Sequence, residues 1–267
     1  GVRWGSVKEF LDLFDQRAAC NVAFMVPHAA IRVEAMGWED RLPTGAELVR
    51  MQELARQGMR DGAFGFATGL TYAPGAYSDT EELVAVCDAI KDLGGFYMTH
   101  ARYTLGDRLL DPFREAVAIG RRSGVPAHIS HYHNPVDGMG ERMLALVDEG
   151  LSSGLDITFD QYPYAAASTI LHSLLPYWVH AGGPSALLRR IRDPGTRDKI
   201  SGAMDPLWGP SLEDFFFSHL GTAGNKEWEG RSLADLARAQ GKRMVDTICD
   251  LLIEENLEVA FVARTGN

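Results

Sequence analysis

The chain has 267 residues, 46% of them hydrophobic and 23% charged, with a formal net charge of −10. That length suits one α/β domain of β/α-barrel size or two smaller domains, and an acidic balance excludes nucleic acid as the default partner, since phosphate binding needs a basic surface. Cys20, Cys87 and Cys249 are odd in number and widely spaced, with no C-x-x-C pair, which predicts free thiols in a reducing, cytoplasmic compartment and argues against a disulfide framework.

The apolar spacing at Val7, Phe10, Leu11, Leu13 and Phe14 predicts a helix over Val7 to Ala18 behind a cap at Ser6. NVAFMV then reads as a strand that stops at Pro27, and PHAAIRVEAMG as a loop or short helical turn. A longer helix is expected from Thr44 to Arg60, with Thr44 and Glu47 as a capping box. FGFATGL, Phe64 to Leu70, reads as a short buried strand followed by the turn residues YAPGAY. Ser78 or Asp79 starts a helix that runs to Leu93, where Gly94 and Gly95 end it. The strand FYMTHA follows, then a crossover helix from Asp107 to Ser123, the strand PAHISHY, a helix from Gly140 to Ser153, and the strand LDITFDQY up to Pro163.

The pattern changes there. Residues 164–230 hold Pro, Gly, Ser and aromatic residues with one short helix near Pro184 to Arg192, the composition of a long lid-like excursion. Helices return near Ser232 to Ala239 and Met244 to Asn256, and LEVAFVA, Leu257 to Ala263, closes the chain as a strand. Six strands are counted, starting near 21, 64, 96, 127, 155 and 257, and their alternation with helices predicts a parallel sheet, two strands short of a full barrel. None of these segments approaches the ~20 apolar residues of a membrane span, and the first residues lack the pattern of a signal peptide.

The chemistry is expected at the carboxyl ends of the strands. Side chains two apart in a strand share a face, so His100 and Arg102, His131 and His133, and Asp160 and Tyr162 are expected around one mouth. A neutral imidazole is a zinc ligand, while arginine and tyrosine suit a carboxylate or an oxyanion. A lone strand histidine is most often a structural hydrogen-bonding group; two at corresponding ends of adjacent strands bring the ligand reading level with it. His28, His172, His180 and His219 keep the structural reading, as does His128, which by parity faces away from His131. Arg102 could equally pair with a neighbouring carboxylate, and Asp160 could cap the loop that follows.

The combination FGFATGLTYAPGAYSDTEELVAV, GGFYMTHAR, IGRRSGVPAHISHYH, DITFDQYPYAAAST and LLPYW resembles the N-acyl-D-amino-acid deacylases, or D-aminoacylases, of the amidohydrolase superfamily. CNVAFMVPHAAIRVEAMG is similar to the family's upstream stretch, and the likeness runs in order from about Val7 to the end. It implies a metal-dependent β/α barrel that hydrolyses the amide of a small-molecule N-acyl-D-amino acid, usually with zinc. His100 matches the family's metal-binding histidine on the fifth barrel strand, His131 the one on the sixth, and Tyr162 a residue near the substrate. Arg102 and His133 are expected to help orient that substrate, with Asp160 supporting the ligands from behind.

Two residues depart from the family pattern: His133 stands where members carry lysine, and Pro27 precedes His28 where members read Gly-His. The family's first-strand His-x-His pair, its bridging cysteine and its late aspartate find no counterpart. The expectation is therefore a single incomplete barrel domain over 1–267, barrel strands three to eight, with 164–230 as the insertion after the fifth strand. No catalytic residue is expected within the chain, zinc occupancy is in doubt, and the chain is expected to be inactive or nearly so alone. The alternative is a non-catalytic amidohydrolase-like fragment or binding module that associates with itself to cover the open barrel. A cyclic-amide hydrolase is a weaker third reading, against which TGLTYAPG and DQYPY speak.

Overall fold

The computed structural model describes residues 5–102, 108–134, 136–208 and 213–264. Backbone contacts divide the chain into two compact units, one up to Tyr162 and the other from Pro163.

In the first unit, α1 (Val7–Asp12) precedes β1 (Met25–Pro27), α2 (His28–Met36) and α3 (Gly45–Arg60). Then come β2 (Gly65–Gly69), α4 (Thr80–Asp88), β3 (Phe96–His100), α5 (Asp111–Ser123), β4 (Ala127–Ile129), α6 (Met139–Ser152) and β5 (Ile157–Phe159). The start expected for α5 at Asp107 lies outside the described residues. The caps that the sequence predicts form: Ser6 accepts from the Glu9 N–H, both arms of the Thr44–Glu47 capping box are made, and Asp79 caps α4. PHAAIRVEAMG is a nine-residue helix, longer than the turn expected.

The five strands pair in chain order and all in parallel. The parallel α/β architecture is the one expected, with the strand and helix order of part of a β/α barrel. Helices cover one face: Val26, Phe66, Tyr97, Ala127, Ile129 and Ile157 are buried there with Leu83, Val86, Ile119 and Leu146. The opposite face carries Ala67, Met98 and His128, all half-buried, and Thr158, which is exposed. Because every strand runs the same way, their carboxyl ends share one edge, the edge where parallel α/β sheets present functional groups.

The second unit corrects the strand count. Val259–Ala263 is a strand, but it is not the sixth of the parallel sheet. As β8 it lies between β6 (Ala167–Ile170) and β7 (Phe215–Leu220) in a separate antiparallel sheet. Alternate residues Val259, Phe261 and Ala263 are buried, the pattern of a strand covered on one face, and Phe261 stacks on Phe215 at 4.7 Å. Helices α7 (Pro184–Arg190), α8 (Pro194–Trp208), α9 (Leu233–Gln240) and α10 (Met244–Glu254) complete the unit. Residues 164–230 thus hold two helices and two strands, more regular structure than the one helix expected, and they share a core with α9, α10 and β8 through Leu171, Leu187, Ile200, Leu236 and Ile248.

Candidate metal and substrate site

The site is built on the ends of β3, β4 and β5. Register pairs Gly69 with His100 and Ile129 with Phe159, so the residues just beyond the strands converge. His100 Nδ1 and His131 Nε2 lie 2.7 Å apart, with their rings edge to face at 4.5 Å. Burial, and then the neighbouring His131, push the His100 pKa down to about 4. His100 is therefore neutral in ordinary conditions, the state in which imidazole binds a metal.

His131 is set by its backbone. Its φ is 40°, a left-handed conformation that a non-glycine residue holds only when its surroundings compensate. Asp160 Oδ1 accepts the His131 N–H at 2.6 Å, while Asp160 Oδ2 faces His128 Nε2 at 2.9 Å. Burial alone would raise the Asp160 pKa, but these partners hold it below the usual carboxylate range. The next residue, Tyr132, is buried against Phe113 and Phe159 and donates its hydroxyl to the Met143 carbonyl at 2.8 Å. The His133 N–H turns back onto the His131 carbonyl at 2.9 Å. An anchored tyrosine thus presents a histidine on either side, with the two rings 6.3 Å apart.

His133 Nε2 meets the Tyr162 hydroxyl at 3.0 Å, and the Tyr162 ring lies 6.2 Å from His131. Burial, and then His131, lower the His133 pKa. Burial, and then Tyr72, raise that of Tyr162. Arg102 is placed differently. Its Nε donates to Glu115 Oε2 at 2.8 Å, Nη1 to the Ala76 carbonyl at 3.2 Å and Nη2 to the Ser78 carbonyl at 2.6 Å. β3 ends at His100, so strand alternation does not extend to Arg102, and the shared face expected for it does not form.

Two groups escaped the sequence reading. Thr71 Oγ1 stands 2.6 Å from His100 Nε2, and the Tyr72 ring packs on His100 at 5.2 Å. His128, expected to face away, reaches the His131 backbone through Asp160. Of the other histidines, His28 is buried against Glu82 at 2.7 Å, beside the Glu82–Arg32 ion pair.

The two convergent nitrogens fit a cation as two of its ligands. Their separation of 2.7 Å is below the ~3.3 Å between neighbouring ligands of a tetrahedral zinc with bonds of about 2.0–2.1 Å, so a slight opening of the rings would admit one. Among the described residues no group of three or more His, Cys, Asp or Glu side chains comes together in a metal-binding arrangement. No helix among them is long and apolar enough to cross a membrane.

No family model matches the chain. It is similar to D-aminoacylase from Alcaligenes xylosoxydans xylosoxydans, 37% identical over 157 residues, which is 58% of this chain and 32% of that protein. The crystal structure of a D-aminoacylase described as defining a novel subset of amidohydrolases superposes with a TM-score of 0.73 at 26% identity, covering 99% of this chain and 48% of that one. N-acyl-D-glutamate deacylase from Bordetella bronchiseptica, solved with zinc and a phosphonate mimic of the tetrahedral intermediate, gives a TM-score of 0.76 at 24% identity, covering 98% and 48%. The chain thus spans about a third of its curated relative and about half of these solved chains.

Proposed function

We propose, on the premise that this chain belongs to the N-acyl-D-amino-acid deacylase family of amidohydrolases, that it supplies two metal ligands and a substrate-orienting pair to metal-dependent hydrolysis of an N-acyl-D-amino acid. The observation that carries this reading is the meeting of His100 Nδ1 and His131 Nε2 at 2.7 Å on adjacent strand ends. His100 and His131 would hold a zinc. Bound there, zinc polarises an acyl carbonyl and lowers the pKa of a water.

Each of the chain's own groups has a part. Burial keeps His100 neutral and available as a ligand above about pH 4. Asp160 fixes the backbone from which His131 projects. The Tyr162 hydroxyl and His133 Nε2 form a polar pair that can orient a carboxylate or steady a developing oxyanion. Because His133 tends to the neutral state, it orients by hydrogen bonding where a lysine would supply a fixed charge. Arg102, engaged by Glu115 and two carbonyls, would reach substrate only by leaving them; its present partners make it a brace for residues 76–78.

No third ligand joins the pair of imidazoles among the described residues, so the 267-residue chain alone is expected to turn over little or nothing. The same observation favours the second reading, a non-catalytic module with an amidohydrolase-like scaffold. Binding of N-acetyl-D-amino acids and their L enantiomers to the zinc-loaded chain, followed by saturation-transfer NMR, separates the two. Zinc-dependent preference for the D series, with turnover below about a hundredth of that of an intact D-aminoacylase, supports the first. Binding indifferent to zinc and to chirality overturns it in favour of the second, and full turnover overturns the expected inactivity.

A further inference from the structure

Thr71 occupies a place that neither its sequence context nor the family resemblance assigns. It follows β2, and its position is fixed at several points. The Leu70 N–H bonds the His100 carbonyl at 3.0 Å, the Tyr72 N–H turns back to the Gly69 carbonyl at 3.3 Å, and the Ala76 N–H bonds the Tyr72 carbonyl at 2.9 Å. Gly75 lets this loop fold onto the end of its own strand, since a Cβ there would stand 2.8 Å from the Gly69 carbonyl oxygen. Thr71 is 7% exposed, so its hydroxyl is held where it meets the His100 ring rather than being one of many solvent rotamers.

We propose that Thr71 is a positioning residue for the metal pair, accepting the Nε2–H of His100 and thereby leaving Nδ1 as the ligand nitrogen. This rests on the reading of His100 and His131 as zinc ligands. A metal-bound imidazole carries its proton on the other nitrogen, and the group that takes that proton fixes both tautomer and ring orientation. Here the ring has two faces of contact: Nδ1 toward His131 Nε2 at 2.7 Å and Nε2 toward Thr71 Oγ1 at 2.6 Å. Tyr72, packed on the same ring at 5.2 Å, restricts its tilt. Threonine is a neutral acceptor, so it orients the ring without adding charge beside the cation, which differs from the carboxylate partners that raise a ligand's basicity.

The test uses Thr71→Val, which keeps the shape and removes the hydroxyl, and Thr71→Ser, which restores the hydroxyl. Zinc affinity is measured by competition with a chelator, and the His100 tautomer by ring 15N NMR of the metal-free protein. The proposal expects His100 as the Nε2–H tautomer in the parent, a mixture or the Nδ1–H form in Thr71→Val, a zinc affinity lower by about 10–100-fold in Thr71→Val, and recovery of both in Thr71→Ser. Unchanged tautomer and affinity in Thr71→Val overturn it. Should the parent bind no zinc, the functional reading falls, and the tautomer alone decides on Thr71: a change supports the positioning role and its absence overturns it. Should Thr71→Val not fold, Thr71→Ser against Thr71→Ala gives the same comparison.

Discussion

At the strand ends of the first unit, imidazoles point at one another, whereas in the second unit the Glu255 carboxylate is enclosed by its donors. Glu255 accepts from the Thr222 N–H at 2.8 Å and Asn225 Nδ2 at 2.6 Å, and also from the Gly221 N–H and the Thr222 hydroxyl. Burial would raise its pKa, yet these donors hold it low, and the residue is 3% exposed. That cluster is closed and ties the loop after β7 to the end of α10. Around His100 and His131 the geometry differs: two imidazoles converge nitrogen to nitrogen at 2.7 Å, and His133 Nδ1 is buried with no hydrogen-bond partner among the described residues. Donors wrapped around one carboxylate brace a fold, while convergent imidazoles can hold chemistry.

The largest effect should come from a buried ion cluster inside the first unit itself. Replacing Glu82 by leucine leaves the fully buried Arg32 guanidinium and His28 without their shared carboxylate, and should destabilise the protein by about 3–5 kcal/mol in urea unfolding. A change under about 1 kcal/mol would mean that this cluster is not a brace. In the second unit, Glu255→Ala strands several donors and should lower stability by about 2–4 kcal/mol, with no change in zinc binding.

His180 gives a pH test that belongs to the second unit. Burial, and then His172, push its pKa down to about 4, below the ordinary ~6.5 of histidine. The unfolded chain therefore binds more protons between these values, so stability from this group is complete above about pH 6.5 and is lost as pH falls toward 4. The loss should approach about 3 kcal/mol at most. Unfolding curves of the parent and of His180→Gln at pH 7 and pH 4.5 check it: the substitution should flatten the acid-side slope, and an unchanged slope would contradict it. The smallest effect is expected from Tyr162→Phe, which removes the hydroxyl facing His133. Stability should change by less than about 1 kcal/mol, while preference for a D substrate should fall, as seen in the same enantiomer-binding measurement.

Much of the first unit was legible because its signals are local. Caps at Ser6, Thr44 and Asp79 and short apolar runs between glycines mark each helix and strand, and side-chain periodicity places His100. Periodicity fails just past a strand end, which is why Arg102 turns to Glu115; His131 reaches His100 through a left-handed backbone held by a carboxylate 29 residues on, a device that no local pattern shows. Thr71 was illegible for a related reason, since its partner is reached through loop closure. The second unit hid its sheet because Ala167–Ile170 lies within a stretch rich in turn residues, and its partner, Val259–Ala263, is about ninety residues away. Pairing over such a distance leaves no mark within any local window.

Zinc content of the purified chain by elemental analysis, beside a His100→Ala, His131→Ala double variant of confirmed fold, decides whether the histidine pair belongs to a metal site. Zinc approaching one per chain in the parent and absent from the variant is the predicted result. Equal zinc in both, or none in the parent under zinc saturation, would contradict the account of this histidine pair as part of a metal site.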